Sequence, residues 1–477
     1  MHKGEVPIKM VRRSGELGKL LPNMRVEPPG PKSKAMAEVL TRYETPTLSP
    51  MVLGEGDPLG MGGIPVAWKQ ARGANLIDMD DNLYVDLTAG FCVAIAGHCH
   101  PKIVRAIQRQ AEMLTHAPAA QSPSPSRAEL LKKLAEVVPA PLKRSHFLSG
   151  GGEAMDVAMK LARLYTKSQC FIAFHGGFHG KTFGALSLTS RKAYRRGILP
   201  LVPGVFHVPF ADCYRCPFGK DYPECDLQCL RYLEYVITDP ATAVTDVAAI
   251  FLEPIEGHEG WIVPPKEFLP RIRKICSENN ILMVLDEIIT GFGRTGKMFC
   301  FQHYGITPDI LVCGKGMASG FPISAVVSTD EIMGAWEPFQ HTSTFSANPL
   351  GCAAGVASIS VIQEERLVER SAKLGDRFLK ALHEMEERYR LVGNVRGMGL
   401  MVGVELVKDK ETKEPASKET GEIIGRALKK GVFLQRPGGK FGNVLKISPP
   451  LVITEEQLDF GIQILDEVIG EVERKTF

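Results

Sequence analysis

Asp286 and Glu287 close one short apolar run, Ile281 to Leu285, and Lys315 follows another, Ile310 to Cys313, after a single glycine. Runs this short, set between helix-like segments, read as buried parallel strands, and ligands in open α/β sheets sit off the carboxyl ends of such strands. A carboxylate after one strand and a lysine after the next therefore point at one place. Two readings fit the pair. It is a structural ion pair, or it is the two groups that pyridoxal phosphate requires, a carboxylate for its ring nitrogen and an amine for its aldehyde.

Other strand ends carry chemistry of their own. Ser145 to Leu148 leads into Ser149-Gly150-Gly151-Gly152-Glu153, and Ala154, Val157, Ala158, Leu161, Ala162 and Tyr165 then mark one helix face at spacings of three and four. A glycine-rich turn at a helix start leaves backbone N–H groups free beside the positive end of the dipole, where phosphate binds, although an ordinary strand–helix turn looks similar. Gln169 to Phe174 ends in His175-Gly176-Gly177-Phe178-His179-Gly180, whose aromatic and histidine could stack on a flat ligand or simply pack a loop. Val247 to Leu252 ends in EPIEGHE, too polar for a plain turn, and Glu253 counts as a candidate substrate contact.

The elements behind these ends repeat. At least five strand-plus-helix units lie between about residues 100 and 330, the doubly wound pattern of an α/β fold. Ahead of them, Asn75 to Thr88 alternates around an Asp-Asp-Asn turn as a hairpin does, and Pro101 opens a helix to about Leu114. Residues 1 to about 45 read as a loose arm or a first helix. After Thr344 to Pro349 come a small-residue helix and an amphipathic one to about Arg390. The remainder reads as a separate α+β unit, with two helical segments around a strand at Val444 to Ile447 and an exposed loop over Asp409 to Thr420.

Composition narrows the function. The 477 residues carry a formal charge of +3, with 23% charged residues, which implies no strong field for nucleic acid. No apolar run approaches the roughly eighteen residues of a membrane span. The basic N-terminus lacks a signal-peptide apolar region and contains Glu5, Glu16 and Glu27, so a cytoplasmic protein is expected. Of the eleven cysteines, Cys213, Cys216, Cys225 and Cys229 cluster as C-x2-C-x8-C-x3-C. That spacing suits a metal or iron–sulfur site, a disulfide or free thiols, and all three stay open.

The runs DEIITGFGRTGKMF, PDILVCGKGMASGFPISAVV and HTSTFSANPLGCAAG together resemble the class III aminotransferases, pyridoxal-phosphate enzymes that include 4-aminobutyrate, ornithine and acetylornithine aminotransferases. The resemblance extends from NLYVDLTAGF to NVLKISPPLVITEEQLD. It implies fold type I, with a large doubly wound, mostly parallel sheet domain (96–345) and a smaller α+β domain built from both termini (1–95 and 346–477). It also implies a Schiff-base lysine at Lys315 and the ring-nitrogen carboxylate at Asp286. Ile288 and Phe178 fall on the two ring faces, with His179 beside Phe178, and Gly151 and Gly152 at the phosphate. Thr344 matches a phosphate ligand supplied by a second subunit, hence a homodimer with shared active sites.

Departures from the family concern the substrate. Lys181 and Lys446 stand where many members have arginine, and the latter arginine commonly grips the substrate's α-carboxylate. Glu256 stands at a glutamine near the cofactor's phenolic oxygen, and His258 at the glutamate that pairs with that arginine. His258 and Lys446 are thus expected as a changed pair, and lysine lacks the flat fork that arginine offers a carboxylate. Phe91 is a candidate apolar contact. The expected reaction is ping-pong transamination from an ω-amino acid or diamine, 4-aminobutyrate- or ornithine-like, to 2-oxoglutarate or pyruvate. Racemisation or epimerisation of an amino acid on the same fold is the alternative.

Overall fold

The apolar runs form a seven-stranded sheet in the order Arg144–Leu148, Ser324–Ser328, Ile310–Cys313, Leu282–Asp286, Val247–Leu252, Cys170–His175 and Val205–Pro209. This is a computed structural model that describes residues 17–45 and 66–477. Ser324–Ser328 runs antiparallel to both neighbours, and the other pairings are parallel. Both faces of the sheet are buried, which is why its strands read as unbroken apolar runs. Phe171 and Ala173 pack into one hydrophobic cluster with the Gly151–Thr166 helix, while Ile172 and Phe174 pack into the other. The same split separates Val284 from Met283 and Leu285. Each such side chain contributes about 1.5–3 kcal/mol over its exposed state, so the frame that holds the strand ends is the best-buried part of the chain.

Strands from the two ends of the chain pair with each other. Asn75–Asp78 and Leu83–Asp86 form the expected hairpin, Trp68–Arg72 pairs with the first, and Val432–Phe433 joins Leu83–Asp86 in parallel. A further sheet holds Val392–Met398, Met401–Asp409 and Glu414–Pro415, and Val444–Ile447 lies beside Met401–Asp409 with Lys446 opposite Gly403. The helices Pro349–Glu364 and Leu367–Arg388 fall where the spacing placed them.

One expectation changes, and one alternative is decided. Asp409 to Thr420 is not one exposed loop, because Glu414–Pro415 pairs with Met401–Asp409 and Ser417 opens a helix to Lys429. Buried Thr420, Ile423 and Ala427 form that helix's inward stripe, so its apolar face starts inside the charged stretch that hid it. Within the N-terminal arm, Pro31–Tyr43 is a helix, and residues 1–16 lie outside those described. Among the described residues, no helix is long and apolar enough to cross a membrane.

Candidate active site

The carboxyl ends of the parallel strands open onto a cavity of about 440 Å³. Gly151, Gly152, Phe178, His179, Glu253, Asp286, Ile288 and Lys315 are among the residues that line it. Asp286, 4% exposed, ends its strand at the cavity wall. Its Oδ2 lies 2.9 Å from Nδ1 of His179, which donates to it, and its Oδ1 accepts the Ile288 N–H at 3.1 Å. Burial disfavours a charged His179, yet the Asp286 hydrogen bond and charge outweigh it and hold the imidazole above its ordinary pKa. His179 thus braces the carboxylate, which its place next to Phe178 in the chain did not reveal.

Lys315 sits just past its strand with φ at 35°, a left-handed conformation that a non-glycine residue adopts at a cost and that clusters at functional sites. Burial lowers its amine below the usual lysine range, against the pull of Asp286 and Glu253. Glu253 accepts N–H bonds from Phe178 at 3.0 Å and Gly257 at 3.1 Å, tying two loops together. Burial, then the charge of Asp286, raises it to about 7.

The Gly151–Thr166 helix has no capping side chain at Gly150, so its first N–H groups are available to an anion. Glycine at 151 also has a packing reason, since a Cβ there would lie 2.8 Å from Ile288 Cδ1. Gly180, at φ +129°, lets its loop close onto the turn, where a Cβ would come within 2.7 Å of the Gly152 Cα.

The remaining expected residues lie elsewhere. The buried carboxyl of Glu256 packs on Gly176, with Oε1 unpartnered, and burial raises its pKa far above the usual range. Phe91 is 56% exposed, and Thr344 is also on the surface. Lys181, His258 and Lys446 gather beside the cavity, where the His258 ring lies 5.4 Å from that of Phe178. His258 and Lys446 are not hydrogen-bonded to each other. His258 Nδ1 lies 2.5 Å from Arg191 Nη1 and its Nε2 lies 2.6 Å from the Tyr194 hydroxyl. The Lys446 amine stands over Trp261 at 5.3 Å, and that of Lys181 over Tyr194 at 4.2 Å. Burial, then the charges of Lys446, Arg191, Arg436 and Lys181, drive His258 down to about 2, leaving it neutral. Burial also lowers Lys446, to about 8, with Lys315, Arg436 and Arg191 adding to the effect. Arg191, Tyr194 and Arg436 went unread in the sequence, where the dense basic run from Arg191 to Arg196 was the available signal.

Cys213, Cys216, Cys225 and Cys229 line one small cavity and are all unpaired. Burial, with the neighbouring thiols, pushes Cys213 up to about 12, and burial takes Cys229 to about 11. Among the described residues, no group of three or more His, Cys, Asp or Glu is arranged to hold a metal ion.

Strand order, cavity and residue types together define a pyridoxal-phosphate enzyme of fold type I, and the chain belongs to the class-III aminotransferase family, whose profile matches residues 60–469. It is similar to the leucine/methionine racemase of Thermococcus litoralis, 39% identical over 412 residues, which covers 86% of this chain and 91% of that one. It is also similar to a probable 4-aminobutyrate aminotransferase of Bacillus subtilis, 36% identical over 400 residues, with 83% and 91% covered. Among solved structures, an amine transaminase from an uncultivated Pseudomonas species in its pyridoxal-phosphate-bound form superposes with a TM-score of 0.81 at 30% identity, covering 88% of this chain and 99% of that one. The cavity fits that cofactor. It offers an uncapped helix start for a phosphate, a buried and braced carboxylate, an enclosed amine, and Ile288 and Phe178 as apolar walls.

Proposed function

We propose that this enzyme moves an amino group from an ω-amino acid or diamine, 4-aminobutyrate- or ornithine-like, to an oxo acid such as 2-oxoglutarate or pyruvate. Support comes above all from the Asp286 carboxylate and the Lys315 amine facing one cavity beside an uncapped helix start. Pyridoxal phosphate, when bound, supplies a sink for the electron pair left when a proton leaves the amine-bearing carbon. Gly151 and Gly152 would hold its phosphate through backbone N–H groups, Ile288 and Phe178 would hold its ring, and Asp286 would hold its ring nitrogen. Lys315 Nζ takes the proton from the substrate carbon, a task that needs the neutral amine its burial favours. His179 keeps Asp286 oriented while this happens. Donor and acceptor use the same cavity in turn, which gives a ping-pong order.

A homodimer belongs to this reading. Thr344 and the neighbouring Phe345, 62% exposed, lie on the surface, free to meet a second copy whose phosphate Thr344 would bind.

One observation favours a second reading, racemisation or epimerisation of an amino acid. A transaminase that alternates between differently shaped substrates gains from a carboxylate that pairs with its substrate-binding cation when that cation is idle. Here His258 is neutral, and Lys446 makes no ion pair among the described residues. A substrate and product of one shape need no such switch, and a racemase stands among the relatives. Incubating single-enantiomer amino acids and ω-amino acids with and without an oxo acid separates the two. Consumption only with the oxo acid supports transamination; antipode forming without it supports racemisation.

A further inference from the structure

The cluster beside Phe178 has a fixed hydrogen-bond polarity. Arginine only donates, so the 2.5 Å contact from Arg191 Nη1 makes His258 Nδ1 an acceptor and puts the ring proton on Nε2. Nε2 therefore donates to the Tyr194 oxygen at 2.6 Å. Tyr194 is left with its own O–H, which has no acceptor among the described residues. Arg191 gives Nη2 to the Gly439 carbonyl at 3.2 Å and keeps further N–H groups free. The Tyr194 ring also packs edge-on at 5.7 Å against Phe178, which lines the cavity. Around it are the cations Lys181, Arg191, Arg436 and Lys446, faced by Glu259 at 3.9 Å from Arg191. Free donors and excess positive charge at one mouth call for an anion.

We propose that Tyr194 and Arg191 hold the carboxylate of an amino acid substrate at the cavity mouth, and that His258 is a positioning residue, a neutral imidazole that fixes both. This rests on the reading that the substrate is an amino acid. It moves specificity from the expected His258–Lys446 pair to two residues of the Arg191–Tyr194 segment.

The test compares steady-state constants of the holoenzyme for an amino acid it turns over and for the primary amine lacking that carboxylate. Tyr194→Phe is expected to raise KM for the amino acid about tenfold, with kcat within about twofold and the amine unaffected. Arg191→Gln raises it about a hundredfold, and Arg191→Lys falls between, because an ammonium lacks the fork. His258→Phe combines both losses, and His258→Gln, which can restore one bond, recovers part. Thermal melting checks that the variants fold. Between pH 5.5 and 7 the His258→Gln variant should follow the wild-type pH profile of KM, whatever Glu253, raised to about 7, contributes there. An inflection there that His258→Gln removes would overturn the proposal, since a titrating imidazole would be gripping the carboxylate itself. Equal KM for amino acid and amine in the wild type, or a Tyr194→Phe variant as good as wild type, also overturns it while leaving amine chemistry at Lys315 intact. No turnover of any amine would sink the amino-acid reading and this assignment with it.

Discussion

Replacing Gly151 with alanine tests whether Ile288 presses on the cofactor ring. The backbone at Gly151 lies where alanine fits without strain, so the effect is one of space. The new Cβ would stand 2.8 Å from Ile288 Cδ1, against about 3.5–4.0 Å for relaxed carbon–carbon contact. Ile288 must give way by about 1 Å, and its open side is the cavity. Overpacking of this kind costs about 1–3 kcal/mol, or about 5- to 150-fold in cofactor affinity if the displaced methyl enters the ring's space. The apoprotein should melt at or slightly above the wild-type temperature, since alanine favours a helix over glycine by up to about 1 kcal/mol. Titrating apoprotein with pyridoxal phosphate, followed by absorbance, gives the affinity. Adding Ile288→Val removes Cδ1 and should recover most of the loss, a coupling read from the double-mutant cycle. Cofactor binding by Gly151→Ala within twofold of wild type, or a loss undiminished in the double variant, refutes the reasoning.

Three further outcomes are expected. Lys315→Ala should abolish turnover while the protein stays folded; activity within tenfold of wild type overturns the assignment of Lys315. Asp286→Asn keeps an acceptor for the Ile288 N–H but removes a charge worth about 4 kcal/mol to a ring cation some 4 Å away at an effective dielectric of ~20, so kcat should fall roughly a thousandfold; a drop under tenfold would show that the ring nitrogen does not depend on it. Lys446, lowered to about 8 by burial, loses its charge as pH rises through that value, but with the carboxylate held by Arg191 and Tyr194 KM should rise less than about threefold between pH 7 and 9. A climb of about tenfold per pH unit that Lys446→Arg abolishes would return the carboxylate to Lys446 and count against Arg191 and Tyr194.

What could be read from the chain followed from locality. Asp286 and Lys315 each end a short apolar run, so strand, strand end and polar group come from one contiguous stretch, and parallel pairing brings the two ends together. The glycine turn was legible in the same way. His258 illustrates the opposite case. Its partners are Arg191 and Tyr194, one loop away in space but more than sixty residues back in sequence. They sit on the short Lys192–Arg195 helix and the residue before it, too brief for any periodicity to point inward. Arg436 likewise lies in a Pro-Gly loop without pattern. The start of the Ser417–Lys429 helix, though not the helix itself, was hidden because charged residues occupy its outer face and small ones its first inner turn. For the four cysteines, spacing announced proximity, which the shared cavity bears out, but not what that proximity is for.

The parallel pairing of Val432–Phe433 with Leu83–Asp86 sets an order of assembly. On a ribosome adding about 5–20 residues per second, the Leu83–Asp86 strand emerges long before its neighbour exists. The strands that carry Asp286 and Lys315 and the segment that carries Arg191 and Tyr194 are translated while Lys446 and the Gly439 carbonyl, which accepts from Arg191, are still unmade. Closing the N-terminal sheet from the far end of the chain leaves Arg191 without its Gly439 partner until synthesis is nearly over.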